Sequence, residues 1–76
     1  MTKQKVLVVG GAGYIGSHVC QALIAAGHQS VVFDNLSTGH KENIFPESEF
    51  IEGDILDPVA LQKAMQGITS VIHLAA

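Results

Sequence analysis

The stretch Val6-Leu7-Val8-Val9-Gly10-Gly11-Ala12-Gly13-Tyr14-Ile15-Gly16-Ser17-His18 decides how the whole chain is read. An apolar run rich in valine leads straight into a glycine cluster, and a helical pattern begins at once. Strand, glycine turn and helix, in that order, is how a chain presents backbone N–H groups to a phosphate. Gly10, Gly13 and Gly16 fit G-x-x-G-x-x-G, and Gly11, Gly13 and Gly16 also fit G-x-G-x-x-G. That chemistry asks for a tight turn, close approach of backbone to a pyrophosphate, and close packing of helix on strand. Glycine meets all three demands without steric cost.

Working outward, Lys5 to Val9 is predicted as a buried strand, since continuous apolar runs suit parallel sheets covered on both faces. From Tyr14 to Ala26 the residues Ile15, Val19, Ala22, Leu23 and Ala26 fall at helical spacing, and Gly27 stops the helix. Gln29 to Phe33 is a second apolar run ending in Asp34-Asn35. Residues 5–34 thus form one strand–helix–strand unit. Leu36 to Glu49 is polar and reads as a long loop with one helical turn near Lys41 to Ile44. Phe50 to Glu52 is a short third strand leading to Gly53-Asp54. Asp57 and Pro58 fit the N-cap and first position of a second helix, with Leu61, Ala64 and Met65 as its apolar face and Gly67 as its end. Ser70 to Leu74 is a fourth strand. The expectation is an α/β fold, β-α-β-β-α-β, giving the first four strands of a Rossmann-type doubly wound parallel sheet in the order 3-2-1-4. The ligand crevice of such a sheet opens between its first and fourth strands.

Composition narrows the function classes. The 76 residues carry a net charge of −3, which gives no electrostatic reason to expect nucleic acid or an anionic membrane as partner. No apolar run approaches the roughly 20 residues of a membrane span. The single cysteine, Cys20, has no internal disulfide partner, which favours a reducing, cytoplasmic setting, and its helical position reads as a small buried hydrophobe. The histidines have no metal-ligand spacing, so no metal site is expected. His73 reads as a hydrogen-bonded structural residue. A chain this short lacks the staples that small domains usually need, and it is expected to be part of something longer.

Asp34 ends the second strand near the roughly 20-residue separation at which a carboxylate takes the ribose hydroxyls of NAD. Like charge disfavours the 2′-phosphate of NADP there, and the chain contains no arginine to offset it; His40 and Lys41 are the only nearby basic groups. The bland alternative is a turn residue bonded to its own backbone. Two readings stand level for Asp54: an acceptor for an adenine amino group beside Ile55, or the head of an Asx turn.

Four strings together resemble the extended short-chain dehydrogenase/reductase family: Gly10-Gly11-Ala12-Gly13-Tyr14-Ile15-Gly16-Ser17-His18, Asp34-Asn35-Leu36-Ser37-Thr38-Gly39-His40, Glu52-Gly53-Asp54-Ile55, and Val71-Ile72-His73-Leu74-Ala75-Ala76. Within it they are most similar to the nucleotide-sugar epimerases, with nucleotide-sugar dehydratases and decarboxylases as the nearby alternative. A non-catalytic dinucleotide-binding module is the alternative from another class. The resemblance covers the whole chain but only the first quarter or so of such an enzyme. It implies NAD as cofactor, with Tyr14 and Ile15 at the pyrophosphate through their backbone. It implies Asp34, Asn35 and the Ser37-Thr38-Gly39 loop at the adenosine ribose, Asp54 and Ile55 at adenine, and Leu74 and Ala75 on the nicotinamide side. It further implies an isomerase acting on a UDP-sugar, and a homodimer for the full-length enzyme. Val9 stands where the family often has threonine, and His40 where some relatives have lysine. The family's Tyr-x-x-x-Lys is absent: the one tyrosine, Tyr14, is followed four residues on by His18. The chain alone is therefore expected to be inactive.

Overall fold

A computed structural model describes residues 3–36 and 41–74. Strands β1 (Lys5–Val9), β2 (Gln29–Asp34), β3 (Glu49–Glu52) and β4 (Ser70–His73) form one sheet in the order β3-β2-β1-β4. All three pairings are parallel. The register sets Val9 beside Phe33 on one side and His73 on the other, so the ends of the strands stay level. Helices α1 (Tyr14–Ala25) and α2 (Pro58–Ala64) complete the crossovers, and a 3-10 turn, Lys41–Asn43, lies between β2 and β3.

Alternation along β1 explains the two-sided core. Val6 and Val8 join Val32, Ala12 and Cys20 of α1 on one face. Leu7 and Val9 join Val31, Phe33 and Ala64 of α2 on the other. Strands covered on both faces read as near-continuous apolar runs, and β1 and β2 are accordingly buried almost throughout, with Ser30 the buried polar residue of β2. The outer strands differ: β3 is half-exposed and carries Glu49 and Glu52, while β4 leaves Val71 exposed at the edge. An uncharged apolar edge is one that other strands can pair with. The thiol of Cys20 is buried on the α1 face, and that burial pushes its pKa up against a smaller opposing effect of the Ser30 and Ser48 hydroxyls. Among the described residues neither hydroxyl makes a well-formed hydrogen bond. A thiol held neutral this way is a packing residue.

Helix ends follow local chemistry. Gly27, at φ +86°, ends α1: its N–H donates to the Ile24 carbonyl at 3.0 Å, and the His28 N–H donates to the Leu23 carbonyl at 2.9 Å. This paired closure needs a left-handed residue, which glycine supplies cheaply. The α2 start is capped by the Asp57 carboxylate, which accepts from the Val59 and Ala60 amides at 3.1 and 3.3 Å, with Pro58 in the first turn. Ala26 is the cap of α1 rather than its last helical residue, and Met65 caps α2 and is substantially exposed. The apolar face of α2 therefore rests on Leu61 and Ala64, because seven helical residues make only two turns.

The most demanding contact is at Gly16. A β-carbon there would lie 2.5 Å from the Gly11 Cα and 2.7 Å from the Gly10 carbonyl oxygen. Those are backbone atoms with no room to yield, so α1 can sit this close to the end of β1 only through glycine. Gly16→Ala is expected to destabilise the chain by about 1–3 kcal/mol, the usual cost of overpacking, read as a lower urea midpoint. Asp57→Ala should cost about 1 kcal/mol through loss of the cap, measured in the same way.

Candidate functional site

The parallel sheet gathers the carboxyl ends of its strands at one edge, and the loops leaving them surround a cleft of about 740 Å³. That volume lies in the range of small-molecule sites. All the described candidates from the sequence line it: Gly10, Gly13, Tyr14, Ile15 and Gly16 from the glycine turn and the start of α1, Asp34 at the end of β2 and Asn35 after it, Asp54 and Ile55 after β3, and Leu74 after β4. Ser37, Thr38, Gly39 and Ala75, and with them His40, lie outside the described residues.

The glycine turn forms the floor. Gly10, at φ +85°, turns the chain off β1, and its amide still donates to the Phe33 carbonyl at 2.8 Å. Helix α1 begins without a side-chain cap at Gly13, and its first backbone bond runs from the Ser17 amide to the Gly13 carbonyl at 2.9 Å. Among the described residues, the amides of Tyr14, Ile15 and Gly16 have no protein acceptor. These are the orphan donors of a helix N-terminus, where the helix dipole adds partial positive charge. Exposed Tyr14 and Ile15 side chains stand at the rim, and the Tyr14 ring packs edge-on against His18 with centroids 4.6 Å apart.

Gly13 differs from its neighbours. A β-carbon at Gly16 strikes backbone, and one at Gly11 would press on Val32 and the Val8 carbonyl at 3.0–3.1 Å. At Gly13, with φ −82°, a β-carbon would meet only the Gly10 carbonyl oxygen, at an ordinary 3.8 Å. The packing of the fold therefore does not demand glycine at this position. A bare backbone facing a cleft is what close approach by an anion would require.

Asp34 does two jobs within the chain. Its Oδ2 accepts from the Ala12 amide at 3.0 Å, tying the glycine turn to the end of β2. Its Oδ1 accepts from the Leu36 amide at 2.7 Å, holding a sharp bend at which Leu36 takes a φ of +63°. The local turn role and a place in the cleft are thus combined in one residue. A carboxylate offers about four lone-pair sites, so two bonds leave acceptor capacity. Asp54 heads an Asx turn: its Oδ1 accepts from the Leu56 amide at 2.9 Å, at the cleft edge. The turn alternative is present there, and the second carboxylate oxygen makes no hydrogen bond among the described residues.

Other residues enter the site through packing. Phe33 closes the floor, and Gly53 lies flat on it, since a β-carbon at Gly53 would come within 2.9 Å of the ring. Val9 and Leu56 also line the cleft. A large ring immediately before Asp34 and a glycine immediately before Asp54 were the available signals. His73 departs from expectation. Its ring is exposed, makes no hydrogen bond among the described residues, and borders a separate apolar groove beside Leu7, Leu61 and Val71. It lies on β4, the outermost of the described strands, and no described residue gives its ring a hydrogen-bond partner. Among the described residues no group of three histidine, cysteine or carboxylate side chains stands close enough to hold a metal, and no helix is long and apolar enough to cross a membrane.

Comparisons with known proteins meet this geometry. Residues 6–76 match the model of the NAD dependent epimerase/dehydratase family. The UDP-glucose 4-epimerase of Lactobacillus helveticus is 45% identical over 74 residues, covering 95% of this chain and 22% of that protein. The crystal structure of UDP-glucose 4-epimerase from Brucella ovis in complex with NAD superposes with a TM-score of 0.89 at 49% identity, over 96% of this chain and 23% of that one. The UDP-glucose 4-epimerase of Thermotoga maritima, solved with UDP-glucose, gives 0.88 at 42% identity over 95% and 24%. The chain spans less than a quarter of the length of these relatives. By its glycine turn, its sheet order and the match across nearly its whole length, the chain belongs to the NAD dependent epimerase/dehydratase family.

Proposed function

We propose that the chain is the N-terminal part of one NAD-binding domain, and that it serves a UDP-glucose 4-epimerase, an isomerase interconverting UDP-glucose and UDP-galactose. The observation that carries the reading is Gly13: an open, side-chain-free backbone position with no packing reason to be glycine, set beside three amides that lack acceptors among the described residues. The cradle suits a pyrophosphate in charge, since unpaired amides at a helix N-terminus favour an anion. The similarity to NAD-bound and UDP-glucose-bound epimerases supports the same reading.

In this reading Gly10, Gly13 and Gly16 shape the turn, and the amides of Tyr14 and Ile15 donate to the pyrophosphate. Asp34 accepts from the adenosine ribose with the oxygen capacity its two internal bonds leave free, and Asn35 and the Ser37-Thr38-Gly39 segment join it there. Asp54 and Ile55 hold adenine, the carboxylate accepting and the side chain packing. Leu74 and Ala75 line the nicotinamide side. NAD, when bound, supplies an acceptor for hydride from the sugar C4. The residues of this chain bind and orient it; none is placed to move the sugar's proton, because the sequence holds no Tyr-x-x-x-Lys. Proton transfer and UDP-sugar binding fall to a longer protein, which we place in the cytoplasm as a homodimer. The 76 residues alone are inactive.

Calorimetry on this chain tests the cofactor claim. NAD is expected to bind more tightly than NADP, because Asp34 repels a 2′-phosphate and the chain has no arginine to receive one. Gly13→Ala should weaken NAD by about 1–3 kcal/mol, as an extra methyl does in a tight contact, with little change in the urea midpoint. Asp34→Ala should weaken it by about 1–3 kcal/mol. No heat with NAD, or preference for NADP, contradicts the reading.

A further inference from the structure

Ala12 is fully buried between the two glycines that bound the turn, and both of its peptide groups are held by side chains from elsewhere. Its N–H donates to Asp34 Oδ2 at 3.0 Å. Its carbonyl accepts from Asn43 Nδ2 at 3.3 Å. No other donor reaches this carbonyl among the described residues. Asn43 ends the 3-10 turn, and the next two residues, Ile44 and Phe45, pack against the cluster that contains Ala12 and Cys20. The donor is therefore carried by a segment anchored in the core.

We propose that Asn43 is a positioning residue for the phosphate cradle: its amide holds the Ala12 carbonyl and thereby aims the Gly13 N–H and the start of α1. The peptide unit joining Ala12 to Gly13 is planar and trans, so its C=O and N–H point in opposite directions. Fixing the oxygen fixes the N–H. Among the described residues the Gly13 amide otherwise has only a long bond to the Gly10 carbonyl, at 3.4 Å, which is too weak to set the plane alone. Asp34 and Asn43 clamp the plane before and the plane after the same residue, and Gly13 is the position where the cleft meets bare backbone. Asn43 does not itself line the cleft. Its effect on a ligand passes through Ala12.

This inference rests on the reading of the cleft as an NAD site, and the test separates the two. Asn43→Ala, Asn43→Gln and the parent chain are labelled with ¹⁵N, and each is titrated with NAD. Asn43→Ala should weaken NAD about three- to ten-fold, the reach of one hydrogen bond. It should shift the Gly13 amide resonance in the NAD-free chain and leave the urea midpoint nearly unchanged. Asn43→Gln keeps the amide donor and should recover most of the affinity and of the Gly13 shift. An unmoved Gly13 resonance in Asn43→Ala overturns the proposal, as does NAD affinity within two-fold of the parent. A loss of affinity matched by an equal loss of stability, unrelieved by glutamine, overturns it too and makes Asn43 a structural residue. If the parent itself takes up no NAD, the cofactor reading fails, and the Gly13 resonance alone decides whether Asn43 aims that amide.

Discussion

The close approach of α1 to the end of β1 is the constraint on which the rest depends. It is made at one point, where Gly16 lies against the backbone of Gly10 and Gly11 at distances that exclude any side chain. Because the helix is seated that near, its first amides open directly over the carboxyl edge of the sheet. Because the sheet is parallel, the ends of β2, β3 and β4 arrive at the same edge. A helix displaced outward by the width of a methyl group would carry the Tyr14 and Ile15 amides away from Asp34. Packing and site geometry are thus one requirement.

A second layer of restraint keeps the glycine turn from using its own freedom. Glycine loses more conformational entropy on ordering than any other residue, and this turn contains three in four positions. The chain counters with side chains from the end of β2 and from the 3-10 turn. Asp34 reaches back to the Ala12 amide and Asn43 to the Ala12 carbonyl, and Leu36 takes a left-handed conformation beside Asp34. A left-handed leucine costs roughly 1–3 kcal/mol, and the 2.7 Å bond from its amide to Asp34 helps to offset it.

Most of the architecture was legible in the residues because local and global demands coincide. The valine-rich runs of β1 and β2 can only be buried strands, Gly27 can take the left-handed position that ends α1, and Asp57-Pro58 caps α2. The strand order follows from a glycine turn that needs its crevice beside β1. What stayed hidden depends on distant registration. Nothing local to Asn43 marks it as a partner of Ala12, because the bond exists only once the 3-10 turn folds across the glycine turn. The flat contact of Gly53 on Phe33 arises from the β2–β3 pairing. His73 resembled a hydrogen-bonded structural histidine in a strand, but its side chain is exposed and bonds to none of the described residues. Asp54 is the subtlest case, since one residue both heads an Asx turn through Oδ1 and lines the cleft.

We propose that the bare backbone at the start of α1 receives the pyrophosphate of NAD. The most direct measurement is a map of amide resonances of the ¹⁵N-labelled chain as NAD is added. The largest shifts are expected at Gly13, Tyr14 and Ile15, with smaller ones at Asp34 and Ile55 and none at the outer face of α2. Shifts absent from the glycine turn, or confined to the apolar groove beside Val71 and His73, would contradict it.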